Sequence, residues 1–126
     1  MNKMIVGLLA VTILGPLAGC ARTVPIPNIS TPVAQNHTVA EVRTAILRAG
    51  NKRQWIMNDE APGVIRGRQQ SRGHVADIRI SYSATGYTIN YDSSSNLLAS
   101  DGSIHKNYSR WVTNLDKDIQ VELSAR

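Results

Sequence analysis

The stretch from Val64 to Tyr82 fixes its own pairing. Between His74 and Tyr82, Ala76, Ile78, Ile80 and Tyr82 fall on one side, and Asp77 and Arg79 on the other. That is the period-two pattern of a half-buried strand. If Arg72-Gly73 is a two-residue hairpin loop, Ser71 faces His74, Gly67 faces Ile78 and Ile65 faces Ile80, while Arg68 faces Asp77 on the outside. A slip of one residue would drive Arg66 and Arg68 into the core, where unpaired charge is prohibitive. Arg66 opposite Arg79 is the one unfavourable pair, and it points either to a shared anion or to splayed side chains.

Other elements can be placed around this hairpin. Thr38 and Glu41 fit a capping box. Val39, Val42, Ile46 and Ala49 then recur at helical spacing, and Gly50 is a natural stop, which predicts a helix over 39–49. Four strands are expected: 53–57 with Trp55 and Met57 on one side, 64–70, 74–82, and a fourth carrying Tyr87, Ile89 and Tyr91. The intervening turns are 58–63, Arg72-Gly73 and 83–86, and a polar loop follows the fourth strand. A final helix over 104–123 carries a stripe of Ile104, Tyr108, Trp111, Val112, Leu115 and Ile119. The fold class is α+β: a two-layer sandwich of helix, four-stranded antiparallel meander and helix, with both helices on one sheet face.

The first 19 residues have a different character. Lys3 is followed by a short apolar run, Ile5 to Leu17, and by the small residues Ala18 and Gly19. This is the layout of a secretory signal peptide, and the run is too short to span a bilayer. Leu17-Ala18-Gly19-Cys20 resembles the lipobox of bacterial lipoproteins. The resemblance implies a diacylglycerol on the Cys20 thiol, cleavage before Cys20, and acylation of the new amine by a fatty acid such as palmitate. Ala21, where an Asp commonly marks inner-membrane retention, implies the outer membrane, with the domain facing the periplasm. The expected organisation is a signal peptide over 1–19, a lipidated N-terminus and Pro-rich tether over 20–37, and an α+β domain over 38–126. Pro25, Pro27 and Pro32 favour extended chain, so the tether would reach roughly 50 Å at about 3.1 Å per residue. The alternative is that part of it packs as an edge strand. With its only cysteine acylated, the mature chain has no disulfide, and its core must hold it.

Cleavage would leave 13 Lys and Arg against 9 Asp and Glu, a net charge of +4. That balance suits anionic envelope polymers or lipid, whereas nucleic acid is excluded by the compartment. Arg66, Arg68 and Arg79 share the outer sheet face, with Arg72 at the turn, and form a candidate surface for an anion or partner. His74, Asp92, His105 and Asn107 form a candidate polar site. Neither H-x-x-x-H nor C-x-x-C spacing is present, so no metal is assigned. Asp92, Ser94 and Asn96 alternate as in a calcium loop but lack its glycine and terminal glutamate. No G-x-S-x-G elbow or glycine-rich phosphate loop appears. The reading is therefore not an enzyme, and no cofactor is expected.

Trp55 with Pro62-Gly63, RGHVADIRISY (72–82), YTINYDSSSNL (87–97) and IHKNYSRWVTNL (104–115) resemble a family of small, uncharacterised proteobacterial lipoproteins. The resemblance implies no activity, and it draws attention to Arg72, His74, Tyr91, Ser94, His105, Asn107 and Trp111. Three functions compete: binding of an envelope component or assembly partner, purely structural support of the envelope, and a small-ligand or metal module.

Overall fold

A computed structural model describes residues 22–126. The signal segment and Cys20 lie outside the described residues. The fold is α+β, in the order β1 (Thr23–Pro25), β2 (Ile29–Pro32), α1 (Val39–Lys52), β3 (Ile56–Ala61), β4 (Val64–Ser71), β5 (His74–Ser83), β6 (Gly86–Ser95), β7 (Ser103–His105) and α2 (Lys106–Ser124). One antiparallel sheet has the order β2-β6-β5-β4-β3, and a second, smaller one pairs β1 with β7.

The β4–β5 register is the one the sequence dictates. Ser71 pairs with His74, Gly67 with Ile78, Ile65 with Ile80, Arg68 with Asp77 and Arg66 with Arg79. Arg72 (φ 53°) and Gly73 (φ 84°) both take left-handed backbone, as a two-residue hairpin of type I′ requires. On the inner face, Ile65, Ile78, Ile80, Tyr87 and Ile89 join Val42, Ala45, Ile46 and Ala49 of α1 and Tyr108, Val112, Leu115 and Ile119 of α2 in one buried cluster.

Five expectations are corrected. The first strand of the meander covers Ile56–Ala61 rather than 53–57, so Trp55 precedes it and the turn expected over 58–63 shrinks to Pro62-Gly63. The stretch expected as a tether is largely built into the domain: β1 pairs with β7, and β2 adds a fifth strand beyond β6. Pro32 ends an edge strand, where a missing donor is tolerated. The Thr31 hydroxyl and the Tyr87 phenol both donate to the Asp116 carboxylate, which ties β2, β6 and α2 together.

Gly50 does not stop α1, which continues to Lys52. It is buried inside the helix because Met57 lies against it, and a Cβ there would sit 2.3 Å from the Met57 methyl carbon. The helix ends instead with Gln54 in left-handed backbone (φ 66°). The Gln54 N–H donates to the Asn51 carbonyl and the Trp55 N–H to that of Gly50, the bonds of a Schellman motif. The capping box at Thr38 and Glu41 forms as expected.

The fourth strand runs on to Ser95, because a bulge opposite Asp77 and Ile78 absorbs one residue. The last helix begins at Lys106 rather than 104. Ile104 lies in β7, and the His105 side chain caps the helix.

Candidate functional site

The outer sheet face brings Arg66, Arg68 and Arg79 together, as the alternation requires. Each is paired. Arg68 makes two bonds to Asp77, at 2.8 and 3.1 Å. Arg66 donates to Asp92 at 2.9 Å, and Arg79 makes two bonds to Glu60, at 3.1 and 3.2 Å. Longer contacts of 3.9 Å link Arg66 to Glu60 and Arg79 to Asp92. The anion shared by the facing arginines is therefore the protein's own pair of carboxylates.

Local backbone explains this. The bulge leaves Asp92 without a partner on β5 and pairs Ser93 with Asp77. Asp92 can then meet Arg66, while the Ser93 hydroxyl donates to Asp77 at 3.1 Å. Hydrogen bonds from Arg68, assisted by Ser93 and by the charges of Arg68 and Arg66, hold the Asp77 carboxyl below its ordinary range against the opposing effect of burial. Three guanidinium groups thus meet three carboxylates, and the face carries little net charge. Arg72 sits apart in the hairpin turn and forms no ion pair among the described residues.

The candidate polar site divides. His74 and His105 stack, with ring centroids 6.4 Å apart. His74 Nδ1 donates to the Asn96 carbonyl at 2.6 Å. His105 Nδ1 accepts from the Asn107 backbone N–H at 3.0 Å, so its proton sits on Nε2. The Asn107 side-chain oxygen accepts from Arg110 at 2.9 Å. Asp92 belongs to the arginine face and does not join them. Among the described residues no three His, Cys, Asp or Glu side chains are grouped as metal ligands. Tyr91 packs edge-on against Tyr108, with centroids 5.5 Å apart, and its hydroxyl meets Ser94 at 2.7 Å, so these two residues serve the core's polar margin.

A third place went unseen in the sequence. The end of α1, the end of β4 and the middle of α2 enclose a cleft of about 350 Å³ that brings together Trp55 and Trp111, both tryptophans of the chain. Lys52, Gln54, Gln69 and Asn114 supply its polar lining. Trp55 forms the floor and is 2% exposed, whereas Trp111 is only half-buried and stands at the edge, not in the centre of the helix stripe. Gln69 is buried, and its amide donates to the Arg53 carbonyl at 3.0 Å, fixing the chain just before the left-handed Gln54. The Arg53 guanidinium is tied to Asp118 on α2, which braces the two helices on either side of the opening. Aromatic surface beside amides and a cation can stack on a flat ligand and hydrogen-bond its edge. The one sequence signal was the pairing of two tryptophans with neighbouring polar residues, and their distance along the chain concealed it.

Among the described residues, no helix is long and apolar enough to cross a membrane. No family model matches the chain, and neither a curated protein nor a solved structure matches it.

Proposed function

We propose that this protein is a lipoprotein anchored in the outer membrane through Cys20, whose small non-catalytic periplasmic domain binds an envelope component at the Trp55–Trp111 cleft. The anchor rests on the Leu17-Ala18-Gly19-Cys20 pattern and on the resemblance to small proteobacterial lipoproteins. The observation that carries the binding reading is the cleft itself, which gathers both tryptophans with Lys52, Gln54, Gln69 and Asn114. It replaces the arginine face as the preferred contact surface, since those arginines already hold carboxylates.

That same pairing favours the second reading, in which the domain is a purely structural part of the envelope. Photo-crosslinking residues placed at Asn114 and at Arg66 in cells separate the two. Capture of one defined component from Asn114 and none from Arg66 supports the cleft. Capture from Arg66 alone overturns it, and capture from neither leaves structural support as the better account.

A further inference from the structure

The stretch expected to hold the domain away from the membrane is folded into the domain. Only Ala21 and Arg22 separate Cys20 from the first residue of β1. Three Cα steps of at most about 3.6 Å keep the start of β1 within about 11 Å of the Cys20 backbone. The polar layer on each side of a bilayer's hydrocarbon core is about 5–7 Å thick. A lipid on Cys20 therefore brings β1, and β7 paired to it, to the headgroups.

The residues at this end suit that position. Arg22 is exposed, and its carbonyl accepts from the Lys106 N–H at 2.9 Å, which sets Lys106 beside it. Arg110, one turn further along α2, shares the face of Lys106. Arg22, Lys106 and Arg110 are all exposed, and none forms an ion pair among the described residues, unlike the arginines of the sheet face. Asp101 lies on the loop that meets Ile26 through the Gly102 carbonyl and is exposed. Leu98 on the same loop is 53% exposed and stands in left-handed backbone (φ 56°), next to Leu97, whose carbonyl accepts from the His105 N–H. Unpaired cations and an exposed leucine at one end of a fold are the composition of a surface that rests on anionic lipid.

We propose that the β1–β7 end of the domain, through Arg22, Lys106, Arg110 and Leu98, lies on the anionic surface of the bilayer that holds the Cys20 lipid. The proposal rests on the acylation of Cys20. It leaves the Trp cleft unassigned to the membrane and free for another component.

Acylation also supplies the probe, because a cysteine introduced elsewhere is then the chain's one free thiol. The full lipidated protein carrying Leu98→Cys is labelled with a small fluorophore and reconstituted in phosphatidylcholine vesicles with and without phosphatidylglycerol. A nitroxide on the lipid headgroup is the quencher. Pro62→Cys, in the turn at the opposite end of the long strands, is the reference. The expected result is quenching several-fold stronger at position 98 than at 62. It should be greater with phosphatidylglycerol present and reduced there by Lys106→Glu with Arg110→Glu. Equal quenching at the two positions, or stronger quenching at 62, overturns the seating, and so does indifference to both lipid charge and charge reversal. The intact mass of the same sample reports the acyl chains. Their absence overturns the anchor and the seating together, whereas their presence with equal quenching overturns the seating alone.

Discussion

Asp77 holds two bonds from Arg68 and one from Ser93, and these hydrogen bonds keep its carboxyl below its ordinary value of 3.8. A depressed folded value means the unfolded chain takes up the proton first. The contribution of this carboxylate to stability is thus present above the unfolded value and is lost as pH falls through the lower, folded one. Arg68→Gln is expected to raise the Asp77 midpoint, which a carboxyl-carbon NMR titration would read. A midpoint that does not move would mean the guanidinium is not the cause. His37 works in the opposite sense. Its Nδ1 faces the Ala34 carbonyl at 3.1 Å and its Nε2 the Leu123 carbonyl at 2.9 Å. Both bonds form together only when each ring nitrogen carries a proton, and these two carbonyls, helped by the charge of Glu41, raise the His37 pKa above 6.5. The clasp is complete below the unfolded value and fails as pH rises through the folded one. The urea midpoint of His37→Gln should lie below that of the parent in mild acid, and the gap should close as pH rises through the raised folded value. A gap independent of pH would show that the imidazolium does not matter.

Among the elements, α1 carries a glycine in its interior for a packing reason. The Met57 methyl and Cγ carbons would lie 2.3 and 2.8 Å from a Cβ at position 50. Gly50→Ala should therefore force the flexible, half-buried Met57 side chain aside, at a cost toward the low end of the roughly 1–3 kcal/mol of overpacking and partly offset by alanine's better helix propensity. Met57→Ala in the same chain should recover part of that loss, and a double-mutant cycle in urea would measure the coupling. Equal costs with and without Met57 would remove the steric account. The same position shows what could be read beforehand. Glycine near the end of a helical pattern looks like a stop, and only the return of β3 under α1 shows otherwise. The β4–β5 register was legible because two arginines made a one-residue slip costly and Arg72-Gly73 set the loop. The carboxylates that neutralise the outer face were not legible, since Asp92 reaches it through a bulge and Glu60 from the end of β3. Strands β1 and β2 were hidden by their prolines, which sit where the ladder does not need their missing donors.

For the molecule as a whole, the fold class and both helices followed from period and capping, while the Trp cleft did not, because tertiary packing alone joins Trp55 to Trp111. Cys20→Ser should abolish labelling by a clickable palmitate and release the protein from the membrane fraction. Undiminished label on that variant would place the acyl chain elsewhere. Trp111→Ala is expected to leave the domain folded, since this side chain is half-buried, and to reduce crosslinking from Asn114. Loss of cooperative unfolding in this variant would show instead that Trp111 is part of the core.

Strand β1 closes on β7, and β2 on β6, so the earliest described residues find their partners far along the chain. A ribosome delivers the N-terminal residues first and their partners last. The hairpins β3–β4 and β4–β5 can zip as they emerge, because each joins sequence neighbours. β1 and β2 must wait, and closing so long a loop costs entropy before any contact rewards it. The order of maturation then departs from the order of synthesis: the first described strands, next to Cys20 in the chain, are the last to become structure.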